Sequence, residues 1–248
     1  FYSVIILTDH HIPHACKKVT LGNYEKLFFI NTRQEMFVTE LDLQFFDQHK
    51  IKYKINYGLL FEYDKDFFKE FIDFWYEKRF ASKKLGFISK LMINSLYGKF
   101  GQNPVRKNSA CIIPENEDVE FWYHKGLRIG RKDVTVKSWY MQPQIAAWIT
   151  SAARCNLHNF MYKFLDNDGE LYYLDTDSIR TNKPFHLNES MQNLFTDSNK
   201  KELGKLEFES LAERGYYLGC KFYGEEINGE GWEVHAKGFP DANFKKTF

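Results

Sequence analysis

The sequence predicts an α+β fold in which antiparallel strands carry packed helices, two helices form a hairpin, and a β-rich segment is inserted. Three observations lead to this prediction. Residues 1–62 contain short apolar or alternating runs, residues 65–97 contain two amphipathic segments, and residues 138–181 contain a long helical pattern followed by an acidic hairpin. Runs of period two are typical of strands and runs of period 3.6 are typical of helices.

Strands are predicted first, because apolar and alternating runs near the N-terminus are separated by turn residues. These runs are Phe1–Leu7, Lys26–Ile30, Met36–Leu41 and Ile51–Phe61. Between the last two, Leu41–His49 predicts a short helix that is capped by Thr39 or Asp42.

Two consecutive helices are predicted next. Asp64 is expected to cap a helix from Lys65 to about Phe80, and a second helix is expected from about Ser82 to Tyr97, ending at Gly98. The apolar face of the first helix consists of aromatic residues. They are Phe67, Phe68, Phe71 and Trp75.

A polar segment, Asn103–Lys137, predicts an inserted subdomain of β-hairpins, because prolines and glycines separate strand-like pieces such as Cys111–Ile113 and Val119–Tyr123. Pro143 then starts a predicted helix over Gln144–Leu165. The remaining elements are a turn and strand-like runs. They are the turn Asn167–Gly169, the hairpin Leu171–Thr181, and Gly204–Phe208, Tyr216–Tyr223 and Trp232–Ala236.

The composition restricts the class of protein. The 248 residues contain no apolar run of 18, so no membrane partner is expected. Four scattered cysteines predict free thiols in a reducing intracellular compartment. The formal net charge is only +1, but the segment from Lys78 to Pro114 lacks Asp and Glu and carries eight positive side chains. This basic segment is either a solvated helix surface or an electrostatic footprint for phosphates.

The most informative stretch runs from Tyr172 to Ser178. An apolar strand delivers Asp175 and Asp177 at a spacing of two residues, and extended backbone would place both carboxylates on one side. Two converging carboxylates repel each other unless a cation lies between them, and hard ions such as Mg²⁺ prefer oxygen ligands. The alternative is an ordinary hairpin whose Asp and Ser residues cap a turn. A calcium-binding loop is disfavoured because the ligand spacing and glycine of an EF-hand are absent.

A second pattern lies within the basic segment. On a helix, Lys90, Asn94 and Tyr97 share one face, and Lys83 lies seven residues before Lys90 on that face. Leu85, Ile88 and Met92 are expected to pack inward from the opposite side. Ammonium groups, an amide and an aromatic ring are what a nucleoside triphosphate site needs, although a surface helix with a stray tyrosine has the same pattern.

These stretches together resemble the motifs of family B DNA polymerases. Lys90–Gly98 reads K-L-M-I-N-S-L-Y-G and is similar to the family's K-x-x-x-N-S-x-Y-G motif. Tyr173–Ser178 resembles Y-x-D-T-D-S, and Lys221–Tyr223 resembles the K-x-Y motif that follows it. Asn103-Pro104, shortly after the lysine motif, and the polar insertion are similar to the protein-primed subgroup of phages, adenoviruses and linear plasmids. The resemblance covers nearly the whole chain, most firmly from Asp64 to Tyr223.

The resemblance implies an enzyme that transfers deoxynucleotides from dNTPs to a DNA 3′-end on a primer–template, with initiation on a terminal protein. It implies roles for twelve residues. Asp175 and Asp177 would bind two catalytic Mg²⁺ ions; Lys90, Asn94, Ser95, Tyr97, Gly98 and Lys83 would form the nucleotide site; Lys221, Tyr223, Lys99 and Thr176 would contact DNA. The family's D-x-x-S-L-Y-P motif, whose Asp completes the metal site, does not occur in the sequence. Its expected position lies upstream of Phe1, so this chain is expected to be inactive alone.

In the terms of that family, four parts are predicted. Residues 1–63 would be the end of a first insertion with adjoining strands, 64–102 the fingers, 103–137 a second insertion of the protein-primed type, and 138–248 the palm up to the start of the thumb.

Two other functions are compatible with the sequence. A chain with an incomplete metal site would bind DNA or a terminal protein without catalysis. Alternatively, Asp9-His10-His11 after an apolar strand resembles the metal-binding step of DHH phosphoesterases, with His14 and Cys16 as further ligands, but the other motifs of those enzymes are absent.

Overall fold

A computed structural model describes residues 1–7, 14, 16–22, 24–29, 33–62, 64, 66–136, 140–196, 202–229 and 231–237. The chain forms two compact units. Phe1–Asp9 and Thr32–Ala152 belong to the first, and His10–Asn31 and Ala153–Phe248 belong to the second. Within the described residues, no helix has both the length and the hydropathy that a membrane span requires.

The first unit begins with a three-stranded antiparallel sheet. Its central strand β1 (Tyr2–Ile6) pairs with β4 (Gln34–Val38) on one side and with β5 (Tyr53–Gly58) on the other. The inward side chains of these strands, among them Val4 and Ile6, are fully buried. The strands β2 and β3 belong to the second unit and interrupt this sheet in sequence.

Helix α1 (Glu40–Gln48) follows β4 and is capped by Thr39, one of the two predicted caps. The backbone N–H of Thr39 donates to the Asp42 carboxylate at 2.8 Å, which satisfies one donor at the helix start. The Thr39 hydroxyl lies 2.8 Å from the hydroxyl of Ser151 on helix α4. These buried polar groups satisfy one another and attach α1 to the first turns of α4.

The predicted helical hairpin is present as α2 (Lys69–Lys78) and α3 (Lys83–Phe100). Ser82 caps α3, and its hydroxyl accepts a hydrogen bond from the Leu85 N–H at 3.3 Å. The two helices come close together at Gly86, where an added Cβ would lie 2.7 Å from the carbonyl oxygen of Arg79. Only glycine permits this approach.

Two boundaries of this hairpin differ from the prediction. Asp64 accepts a hydrogen bond from the Asp66 N–H and so forms a turn, and α2 begins four residues after the predicted start at Lys65, which itself lies outside the described residues. Helix α3 does not end at Gly98 but continues to Phe100. A glycine inside a helix costs about 1 kcal/mol. The ring of Phe100, which packs 5.5 Å from that of Phe68, favours the extra turn.

The inserted segment is β-rich, as predicted. Strands β6 (Val105–Ile112), β7 (Phe121–His124) and β8 (Leu127–Thr135) form an antiparallel sheet in the order β6-β8-β7. The two ends of the inserted segment lie next to each other, because the Val136 N–H donates to the Pro104 carbonyl oxygen at 2.8 Å.

Helix α4 (Pro143–Asp166) confirms the predicted long helix, and the boundary between the two units falls within it. The second unit also contains the hairpins β2 (Cys16–Leu21) with β3 (Tyr24–Phe29) and β9 (Leu171–Asp175) with β10 (Ser178–Thr181). Two short 3-10 helices, Phe185–Leu187 and Glu189–Leu194, follow β10. The unit ends in a sheet of β11 (Ala212–Gly219), β12 (Phe222–Ile227) and β13 (Gly231–Ala236).

A hydrophobic cluster fixes the β9–β10 hairpin against α4. Its buried members are Phe160, Phe164, Phe185, Met191 and Leu194. Leu171 of β9 and Ile179 of β10 pack against it. The turn that leads into β9 places Gly169 where an added Cβ would lie 2.6 Å from the Phe164 carbonyl oxygen.

Two predictions in the second unit need correction, and one strand was missed. Gly204–Phe208 is not a strand, since only Leu206 makes a single bridge, to Phe195. Tyr216–Tyr223 is not one strand but the end of β11, a turn and the start of β12, because Lys221 adopts a φ of 56° and reverses the chain. The strand β2 was not predicted at all, since its lysines break the apolar pattern.

Candidate functional site

The two aspartates lie at the tip of the β9–β10 hairpin. Asp175 ends β9 and pairs with Ser178, so Thr176 and Asp177 form a two-residue loop. Thr176 has a φ of 54°, and the Asp177 N–H bonds back to the Asp175 carbonyl oxygen at 2.6 Å. The expectation of extended backbone through Asp177 is therefore wrong, because the loop turns between the two carboxylates.

Asp175 is held by a charged partner. Lys221 Nζ lies 2.7 Å from Asp175 Oδ1 and 2.9 Å from Oδ2, and the Thr176 hydroxyl donates to Oδ1 at 2.9 Å. The hydrogen bond from Lys221 holds the pKa of the Asp175 carboxyl below its usual value, although partial burial opposes this shift. The same hydrogen bond raises the pKa of Lys221. The carboxylate is thus ionised and oriented.

Asp177 has a different environment. Its side chain is exposed, and among the residues that the structure describes it makes no hydrogen bond or ion pair. One carboxylate of the pair is therefore already neutralised by an ammonium group, whereas the other is open to an external cation.

Lys221 reaches Asp175 from the turn between β11 and β12. Its backbone N–H donates to the Tyr173 hydroxyl at 2.7 Å, which fixes the turn against β9. The ring of Tyr223 lies 4.9 Å from that of Tyr173, and burial raises the pKa of Tyr223. The structure thus brings together Asp175, Thr176, Lys221 and Tyr223 of the predicted site within one unit.

The predicted nucleotide-binding residues lie on α3 in the first unit. Lys83, Lys90, Asn94 and Tyr97 are all exposed, and a helix of 3.6 residues per turn places them on one face. Ser95 is not on that face, and its hydroxyl donates to the Met92 carbonyl oxygen at 3.2 Å.

One further expectation about α3 is wrong, and the role of Lys99 in DNA contact stays a prediction. Leu85 and Ile88 do not pack inward, since they are 39% and 44% exposed, and the buried residue of α3 is Ser89. Lys99 lies roughly 180° from Lys90 around the helix. Its ammonium group sits 4.8 Å above the ring of Tyr140.

Comparisons with known proteins identify the family. The sequence model of the family described as DNA polymerase type B, organellar and viral, matches residues 1–183. This chain belongs to the type B DNA polymerase family. The match includes Asp9-His10-His11, so these residues belong to a polymerase sequence and not to a phosphoesterase. They lie outside the described residues.

Relatives within the polymerase family are phage and fungal proteins. The DNA polymerase of Bacillus phage phi29 is 30% identical over 204 residues, which are 78% of this chain and 31% of the phage protein. A probable DNA polymerase of Neurospora intermedia is 30% identical over 192 residues, which are 71% of this chain and 19% of that protein. The chain therefore spans about a third or less of the length of these relatives.

Solved structures confirm the predicted fold class. Phi29 DNA polymerase complexed with primer–template DNA matches the chain with a TM-score of 0.66 and 21% identity, over 100% of this chain and 44% of that one. The same enzyme complexed with single-stranded DNA matches with a TM-score of 0.67. The division into four polymerase parts stays a prediction.

Membership of a DNA polymerase family implies a divalent metal requirement in general. The residues present fit such an ion, because Asp177 offers an open carboxylate and Asp175 offers one that already attracts a cation. Both are hard oxygen donors. Asp175 has to exchange the Lys221 ammonium before it binds an ion, so Asp177 is the more available ligand.

The sequence analysis missed a second set of polar residues beside this site. Arg180 of β10 donates from Nε to Glu225 Oε1 of β12 at 2.7 Å, and the Tyr217 hydroxyl donates to the same oxygen at 2.7 Å. Burial raises the pKa of Tyr217, and the hydrogen bond to Glu225 adds to this. No local pattern announces this set, because 45 residues separate Arg180 from Glu225. Tyr173, in contrast, could have been found from the sequence, because it is the first residue of the Y-L-D-T-D-S motif.

Proposed function

We propose that this chain forms part of the nucleotidyl-transfer site of a template-directed DNA polymerase. The observation that carries the proposal is the contact between Lys221 and Asp175, which joins two separate motifs of the family in one place. Its substrates would be dNTPs and primer–template DNA, and the bond formed would join the primer 3′-oxygen to the α-phosphorus as pyrophosphate leaves.

In this proposal each described residue has a distinct task. Asp177 and Asp175 hold divalent ions, of which Mg²⁺ is the best match to two carboxylates. A bound ion supplies charge neutralisation for the triphosphate and activation of the attacking hydroxyl. Lys221 and Tyr223, with Thr176, orient the primer terminus. Lys90 and Lys83 attract the triphosphate, and the exposed ring of Tyr97 offers a flat surface to the base pair, as expected for binding by charge and stacking.

The protein-primed mode is part of the proposal. Support comes from the polar insertion and from the phage relatives, whose similarity extends over most of this chain. The first nucleotide would then be added to a hydroxyl of a terminal protein. The β6-β8-β7 insertion would help to enclose the DNA. A reducing intracellular compartment stays a prediction, with which the free thiols of Cys111 and Cys220 are compatible.

The test substitutes Asp177→Asn in the full-length protein that carries this chain. Primer extension should fall by a factor of about 1000 or more, since a charge that stabilises the transition state is lost, whereas primer–template binding should change less than about threefold. Asp168→Asn is the matched control, because Asp168 is an exposed turn residue of the same unit with a φ of 57°, which asparagine tolerates. Extension by the control should equal that of the parent protein.

Other outcomes would reject the proposal in distinct ways. If the parent protein binds primer–template DNA but extends nothing, the binding-only interpretation replaces it. If Asp177→Asn extends primers as well as the control does, the acidic hairpin is not the metal site.

A further inference from the structure

Two hairpins of the second unit meet along a single line of side chains. Asp175 and Tyr173 lie two residues apart on β9, and Arg180 of β10 is the cross-strand partner of Tyr173. Opposite them, Lys221 precedes Tyr223 by two residues, and Glu225 follows Tyr223 by two on β12. Tyr173 and Asp175 therefore share one face of β9, and Tyr223 and Glu225 share one face of β12, while Lys221 reaches Asp175 from the turn before β12.

Contacts join the two hairpins at three points. One end is the ion pair of Lys221 with Asp175. The middle consists of tyrosines, because the ring of Tyr173 lies 4.9 Å from that of Tyr223 and also stacks on that of Tyr217 of β11 at 5.3 Å. The other end is the ion pair of Arg180 with Glu225 at 2.7 Å.

The two ion pairs differ in exposure. The Lys221 side chain is half exposed, whereas Glu225 is 3% exposed and shares its Oε1 between Arg180 and Tyr217. Arg180 also reaches Glu209, with Nη1 at 3.3 Å from Oε2. A buried carboxylate with two short donors has little freedom, so it defines where β10 can lie on β12.

We propose that Glu225 is a positioning residue for the proposed polymerase site. Its bond to Arg180 fixes the register of the acidic hairpin on the β11–β12 turn, and this register places Lys221 on Asp175. The inference rests on the proposed function for its consequence in catalysis, but the positional claim stands on the contacts alone.

The neighbouring sheet supplies a matched control. Arg214 of β11 donates from Nε to Glu226 Oε2 of β12 at 2.7 Å, in an ion pair that lies within one sheet. That pair is solvent-exposed on the Arg214 side, and within the described residues it makes no bond to the acidic hairpin. Arg214→Met therefore removes an ion pair of equal length without touching the register.

The test measures the position of Lys221 directly. In the full-length protein, the acetylation rate of Lys221 is followed by mass spectrometry relative to that of Lys205, which is paired with Glu202 at 2.8 Å in the same unit. Glu225→Gln should raise this ratio about twofold to fivefold, the range that a half-exposed ion pair supports. Arg214→Met should leave it unchanged. The double variant Arg180→Met with Glu225→Gln should keep the raised ratio of Glu225→Gln, because the bond that fixes the register is absent in both variants.

A catalytic readout separates positioning from a general structural role. Glu225→Gln should lower kcat for nucleotide incorporation about tenfold while the KM for dNTP changes less than about twofold. A ratio in Glu225→Gln equal to that in Arg214→Met overturns the inference. If all lysines react faster, the variant has unfolded, and Arg180→Lys is measured in its place, because it keeps the charge but has a different reach. An acetylation ratio of Lys221 to Lys205 that is raised in Arg180→Lys supports the inference, and a ratio equal to that in Arg214→Met overturns it. If the ratio rises but the parent protein extends no primer, the proposed function fails and the positional inference stands.

Discussion

Replacing Phe185 by alanine tests whether the hydrophobic cluster beneath the acidic hairpin holds the second unit together. Phe185 is 5% exposed, and its ring stacks on that of Phe164 at 4.5 Å with an interplanar angle of 2°. Its Cζ also fills the space next to Gly169, at the entry to β9. Loss of a buried phenylalanine side chain costs about 3–5 kcal/mol of stability. An aromatic pair contributes about 0.5–1.5 kcal/mol beyond the area that it buries.

The same 3-10 helix contains its own control. Leu187 is 67% exposed, so Leu187→Ala should change the free energy of unfolding by less than about 0.5 kcal/mol. Both variants lose a hydrophobic side chain within the same three-residue helix. A large difference between them is therefore due to burial and not to local helix preference.

The assay must report on the second unit, because a chain with two units need not unfold in one step. Hydrogen exchange of the amides of β9 and of α4 after Ala152, measured by mass spectrometry across a urea series, gives the free energy of unfolding of that unit. Phe185→Ala should lower it by about 3–5 kcal/mol and leave the amides of β1 unchanged. A loss below about 1 kcal/mol would refute the reasoning, since the cluster would then not be a packed core.

Three further predictions address the site and the insertion. Lys221→Met removes the hydrogen bond that lowers the pKa of Asp175. A depressed pKa stabilises the folded state above the unfolded value of about 3.9, and this stabilisation is lost as the pH falls through the folded pKa. The variant should therefore lose less stability between about pH 5 and 2 in urea titrations, and a pH dependence equal to that of the parent protein would contradict the ion pair. Lys90→Ala should raise the KM for dNTP about tenfold. Lys84 is an exposed lysine on another face of α3, so Lys84→Ala should change this KM less than about twofold. Equal effects would indicate a general effect of charge and not a nucleotide-binding site. Residues 105–135 can be replaced by a short Gly-Ser linker, because Pro104 and Val136 are hydrogen-bonded to each other. This deletion should shorten the products on long templates in gel assays while single-nucleotide addition is retained. Unchanged product length would count against the proposed role of the insertion.

Much of the local structure followed from short-range patterns. The start of α4 at Pro143 and the acidic hairpin at Leu171–Thr181 were predicted correctly, and of the two caps predicted for α1 the structure has Thr39. Each depends on residues within a few positions of one another. The errors at Asp64 and Gly98 have one cause, because a capping or terminating residue acts only where packing does not favour a different boundary.

The site divides in the same way. Contiguous motifs pointed to Asp175, Asp177 and Lys90, and the family assignment follows from such motifs. The conformation of the loop was not predictable, since the positive φ of Thr176 appears in no residue preference. The different environments of the two aspartates were likewise hidden, because Lys221 is 46 residues away from Asp175.

The sequence by itself determined the α+β class, the order of most helices and strands, and the family. Those properties depend on periodicity, caps and contiguous motifs, which are written in neighbouring residues. Only the tertiary structure decided that Lys221 neutralises Asp175, that Asp177 stays open, and that Arg180 meets Glu225. These contacts depend on how two hairpins pack face to face. That packing is a balance of many side-chain contacts at once, so no single stretch of sequence specifies it.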